Sequence, residues 1–128
     1  MIYLDNSVLL SQLLAEDRQP AQSLWDENLV SSRLLEYEVW SRIHIRGLSR
    51  THAEQARIFI EFIDLIGLSP NVLERALEPF PIPVRTLDAL HLATIEYARL
   101  QGDAVQLASF DKRMIAAARA LGIELYDF

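Results

Sequence analysis

Residues 1–10 read MIYLDNSVLL, and the fold is decided there. Ile2, Tyr3 and Leu4 form a short apolar run of β-forming residues that stops abruptly at Asp5. Asn6 and Ser7 follow, and then Val8, Leu9, Leu10, Leu13 and Leu14 continue an apolar series at helical spacing. A strand this short and this apolar, feeding directly into a helix, is predicted to be buried on both faces, as in a parallel sheet covered by helices. In open parallel sheets ligands sit outside the carboxyl ends of the strands, and Asp5 occupies such an end. An ionised side chain has little structural use at a buried strand end, although an Asx turn is the plain alternative for an Asp in this position.

Working outward, the first helix is predicted from Ser7 to Ala15, ending near the polar stretch Glu16–Pro20, with a second short helix over Ala21–Asp26. Leu29–Ser31 reads as the second strand, with Ser31 and Ser32 available to cap the helix that runs from Arg33 to about Arg46 and stops at Gly47. Ala56, Ile60, Ile63 and Ile66 place one apolar face on a helix over Thr51–Ile66, capped by Ser49 or Thr51 and ended by Gly67. Leu68-Ser69-Pro70 is a weak strand candidate, and Asn71–Leu77 a short helix. Pro79, Pro81 and Pro83 impose an extended connection to a helix capped by Thr86 and closed by Gly102. Ala104–Ala108 is a strand, Asp111 opens a helix that ends at Gly122, and Ile123–Tyr126 is the last strand. Short apolar strands alternating with helices predict an α/β fold, a central mostly parallel sheet with helices on both faces.

With 128 residues, no linker and no internal repeat, the chain reads as one domain, residues 1–128, long enough to bury its own core. The absence of cysteine excludes disulfides, thiolate metal sites and cysteine nucleophiles. Half the residues are hydrophobic, but no uncharged apolar run is long enough to span a bilayer, so no membrane association is expected. Asp5 interrupts the N-terminal apolar run before a signal peptide could form, and a cytoplasmic location is expected. A net charge of −6 argues against nucleic-acid binding through a broad basic face, so any nucleic acid has to be bound locally. Eleven of the twelve basic residues are Arg, which suits bidentate contact to carboxylate or phosphate but also fits a simple compositional bias.

Four acids fall at the edge where the strands' carboxyl ends gather: Asp5 after the first strand, Glu38 two turns into the following helix, Asp88 in the first turn of its helix, and Asp111 after Ser109 and Phe110. Glu36 also borders the apolar face of its helix, and periodicity does not separate it from Glu38. Asp111 as a helix cap and Asp88 as a first-turn carboxylate each have a purely structural reading. Four acids sharing one cleft repel one another, and a divalent cation with hard oxygen ligands, Mg²⁺ or Mn²⁺, relieves that repulsion.

Tyr3-Leu4-Asp5-Asn6-Ser7, then Ser32 to Glu38, then Leu87-Asp88-Ala89-Leu90-His91-Leu92-Ala93-Thr94, then Ser109-Phe110-Asp111, in that order along essentially the whole chain, resemble PIN domains of the VapC toxin type. The resemblance implies a three-layer α/β/α fold and a Mg²⁺- or Mn²⁺-dependent endoribonuclease, the toxin of a toxin–antitoxin pair. It also implies a homodimer, an RNA substrate and a cognate antitoxin whose extended arm enters the acidic groove. Position by position it makes Asp5, Glu38, Asp88 and Asp111 the catalytic, metal-binding acids and selects Glu38 over Glu36. Ser7 and Ser109 correspond to supporting hydroxyls. Asn6 departs from the family's usual threonine or serine, yet its amide still donates to a carboxylate or water.

The implied reaction is hydrolysis of an RNA phosphodiester by water activated at the metal. His91, one turn after Asp88, reads mainly as a satisfied core or rim histidine; Arg42 and Arg85 stay unassigned between pairing with acids and meeting phosphate. The alternative function is a non-catalytic PIN-like interaction module, for which Ile58–Ile63 with Trp25 and Trp40 supplies apolar surface, about half of it expected in the core. A receiver or haloacid-dehalogenase-like phosphotransfer domain fits poorly. Ser7 stands where the phosphatase needs its second Asp, and the sole lysine, Lys112, lies beside Asp111 rather than at a late strand end.

Overall fold

The computed structural model describes all 128 residues. Five strands, β1 (Ile2–Leu4), β2 (Leu29–Ser32), β3 (Asp64–Ile66), β4 (Gln106–Ala108) and β5 (Glu124–Leu125), form one sheet in the order β3-β2-β1-β4-β5, every pairing parallel. Six helices cover it: α1 (Asn6–Leu13), α2 (Leu34–Ile45), α3 (Ser49–Glu61), α4 (Pro70–Leu77), α5 (Thr86–Leu100) and α6 (Lys112–Ala120). Gln22–Asp26 is a 3₁₀ turn.

Strand alternation divides the core in two. Ile2, Leu4, Leu29 and Ala108 face α1, α2 and α3 with Leu9, Leu35, Val39 and Ile43. Tyr3, Val30 and Leu107 face α5 and α6 with Leu92, Ile95, Met114 and Ala118. Helices on both faces bury β1 and β2 completely, which is why these strands carry no polar alternation. The result is the expected three-layer α/β/α domain.

The sheet order places β1 at its centre, at a reversal of direction. The chain winds outward from β1 through β2 to β3, then returns to lay β4 against the other side of β1. The carboxyl ends of β1 and β4 therefore flank a topological switch point, where the helices leaving the two strands diverge and open a crevice.

Several boundaries differ from the sequence reading. The helix expected over Thr51–Ile66 ends at Glu61, and Asp64–Ile66 forms strand β3 at the sheet edge, so Gly67 follows a strand and not a helix. Leu68-Ser69-Pro70 is no strand: the Ser69 hydroxyl accepts from Val72 N at 3.3 Å and Pro70 takes the first position of α4, where its missing N–H costs nothing. Thr86 is the first helical residue of α5 and not its cap, and α3 begins after Leu48 with no side-chain cap from Ser49 or Thr51. Gly47 takes a left-handed φ of +66° just past α2, as its position predicts.

Candidate active site

β1 delivers Asp5 to the switch point with its backbone still paired, Asp5 N donating to Ala108 O at 3.0 Å. The carboxylate is 4% exposed. Its Oδ2 accepts the Ser7 hydroxyl at 2.6 Å and the Ser109 hydroxyl at 2.8 Å. The same hydroxyls accept backbone amides, Phe110 N to Ser7 Oγ and Asp111 N to Ser109 Oγ, each at 3.0 Å, so the loop after β4 is tied to the start of α1. Asp5 does not cap α1, which removes the Asx-type explanation, and no protein group donates to its Oδ1.

Glu38 is held from two sides. Asn6 Nδ2 donates to Oε2 at 3.0 Å, and His91 Nε2 donates to Oε1 at 2.5 Å. His91 is 1% exposed, and its Nδ1 lies 2.7 Å from the Tyr3 hydroxyl, within hydrogen-bond distance. Burial disfavours a charge on His91, but the hydrogen bond to Glu38 and the negative charges of Glu38, Asp5 and Asp88 outweigh it and raise the imidazole pKa. The Tyr3 hydroxyl is pushed well above its ordinary pKa, by burial first and by Asp5 and Glu38 in addition. His91 is thus a core histidine as read, with a task the sequence did not reveal: it orients a cleft carboxylate. Glu36, the rival of Glu38, turns outward to Arg33 at 2.9 Å on the exposed start of α2.

Asp88 is half-buried in the first turn of α5. Its carboxyl is raised by burial first and then by Asp111, Asp5 and Glu38, with His91 opposing. Asp111 caps α6, its Oδ1 accepting from Arg113 N at 2.9 Å and Met114 N at 3.5 Å. Glu38, Asp88 and Asp111 line one cleft of about 840 Å³, whose walls also carry Arg42, Arg85, Lys112 and Arg113. No Arg or Lys pairs with any of the four acids, and His91 stands against Glu38 alone. No three His, Asp or Glu side chains close to metal-binding distance of one another.

A parallel α/β/α domain with carboxylates gathered at its switch point defines the class. The PIN domain family model matches residues 2–120, and the chain belongs to that family. Among curated relatives, Ribonuclease VapC46 of Mycobacterium tuberculosis is 34% identical over 125 residues, spanning 95% of this chain and 93% of VapC46. Ribonuclease VapC47 of the same species is 29% identical over 129 residues, again spanning 95% and 93%. Among solved structures, a chain of a toxin–antitoxin complex from Klebsiella pneumoniae superposes with a TM-score of 0.67 at 18% identity, covering 94% of each chain, and shows the shared fold. No helix is long and apolar enough to cross a membrane.

Proposed function

We propose that the protein is a Mg²⁺- or Mn²⁺-dependent endoribonuclease, the toxin of a VapBC-type toxin–antitoxin pair, acting as a homodimer and held in check by a cognate antitoxin that reaches into the acidic cleft. The reading is supported by VapC ribonucleases matched along nearly the whole chain. The observation that carries it is Asp5: a carboxylate buried at the end of the central strand, with one oxygen fixed by two hydroxyls and the other left without a donor.

The donor set suits a hard divalent cation. It is all oxygen, it is short of positive partners, and burial together with the neighbouring acids raises the proton affinity of Asp88. Asp5 and Asp88 would hold the ion directly, with Glu38 and Asp111 contributing directly or through water. When bound, such an ion activates water and offsets charge on a phosphoryl group in transfer. The protein's own part is positional. Ser7 and Ser109 fix the rotamer of Asp5, and Asn6 and His91 fix that of Glu38, so the carboxylates need little reorganisation.

The test is melting temperature against Mn²⁺, followed by RNA cleavage with and without chelator. A cation bound by the folded state alone raises stability by about 2.7 kcal/mol at a hundred times its Kd. Cleavage that persists in excess EDTA overturns the metal-dependent reading.

The spread of the carboxylates favours one second reading, a PIN fold serving association without catalysis. Phe62 and Ile58 on the α3 side, with Tyr37 and Ile45 on α2, are exposed apolar side chains available for it, while Phe59, Ile60 and Ile63 pack into the core. A parent protein whose melting temperature ignores Mn²⁺ would select this reading.

A further inference from the structure

A protein of net charge −6 places four of its twelve basic side chains, Arg42, Arg85, Lys112 and Arg113, on the walls of one acidic cleft. All four are exposed and none forms an ion pair, although three carboxylates line the same walls. Two of them go further: Arg85 and Arg113 share with Asp88 a side recess of about 300 Å³ backed by Pro83 and Val84.

These two arginines come from different elements. Arg85 immediately precedes α5, and Arg113 lies in the first turn of α6. The start of α5 has no side-chain cap, and the N–H groups of Thr86, Leu87 and Asp88 donate to no protein acceptor. The start of α6 differs, its amides being taken by Asp111. Two guanidinium forks, three undonated amides and the positive end of a fifteen-residue helix therefore meet beside a carboxylate that the cleft leaves without a positive partner. The fork geometry matches phosphate oxygens, and RNA brings one phosphate with every nucleotide.

The geometry points to Arg85 and Arg113 as a phosphate clamp, binding the RNA backbone phosphate beside the scissile one and seating the strand across the start of α5. This rests on the ribonuclease reading above. It also answers how an acidic protein engages RNA: contact is confined to the rim of the site, where the two arginines stand on either side of the recess that holds Asp88.

The test is fluorescence anisotropy of a short single-stranded RNA protected from hydrolysis by phosphorothioate linkages, titrated with protein in Mn²⁺ at several salt concentrations. Arg85→Gln and Arg113→Gln are each expected to weaken binding about tenfold, the size of one charge-assisted contact. Each also lowers the slope of log affinity against log salt by about 0.7, the value for one single-strand phosphate contact. Arg85→Lys keeps the slope but loses affinity, because the point charge remains and the fork is gone. Arg50→Gln, which removes the same charge from α3 outside the cleft, changes neither. The Mn²⁺-induced rise in melting temperature stays at the parental value throughout. Parental affinity and slope in both Gln variants overturn the clamp and leave the ribonuclease reading intact. A parent that neither binds the RNA nor gains stability from Mn²⁺ overturns both.

Discussion

The ends of β1 and β4 look alike in sequence and are built differently. Each is a short parallel strand followed by an Asp at the N-cap of a helix. Asp111 spends one oxygen on the amides of α6, as a helix cap does. Asp5 gives α1 no such bond; its amide pairs with β4, and Ser7 and Ser109 hold its carboxylate. One acid serves the fold while facing the cleft, and the other is served by the fold. A carboxylate that the structure takes trouble to hold, and that caps nothing in return, is the better marker of chemistry.

Substituting the held acid has the largest expected effect. Asp5→Asn removes the charge at the centre of the site, and a loss of about 4 kcal/mol of transition-state stabilisation lowers RNA cleavage roughly 10³-fold. The Mn²⁺-induced rise in melting temperature disappears with it, while the metal-free protein stays folded. Asp111→Asn should cost less, about 10- to 100-fold in cleavage, with stability in EDTA within about 0.5 kcal/mol of the parent because Asn also caps helices. Equal losses in the two variants, measured on the same RNA, would erase the distinction between the strand ends. Ser109→Ala should cost least, about tenfold in cleavage, since Ser7 still holds Asp5. Cleavage by Ser109→Ala at the parental rate would mean that one hydroxyl suffices to fix the carboxylate.

The sequence made the strand ends visible because a buried strand leaves an unbroken apolar run and an acid stops it conspicuously. Asp5 and Asp111 could be placed at one edge for that reason, and Asp88 by its position in the first turn of the helix that follows the prolines. Strand β3 stayed hidden because Ile60, Ile63 and Ile66 keep a three-residue spacing through the helix end, and only Ile66 belongs to the strand. A three-residue edge strand, paired to β2 alone, carries too little apolar signal to break that pattern. Glu38 could not be told from Glu36 by periodicity, since both border the apolar face. The difference lies in Asn6 and His91, which reach Glu38 from α1 and α5. The shared recess of Arg85 and Arg113 was equally illegible, because it depends on where the starts of α5 and α6 come to lie.

The contacts around Glu38 close a circuit. Tyr3 meets His91 across 88 positions of sequence, His91 meets Glu38 across 53, Glu38 meets Asn6 across 32, and the chain itself joins Asn6 back to Tyr3. Every spatial step is long-range, so its loop-closure entropy is met only once β1, α1, α2 and α5 are packed together. The acidic cleft is consequently among the last features to form during folding and among the first to scatter when any of the four elements detaches. A nascent or partly unfolded chain holds the same residues and none of the arrangement.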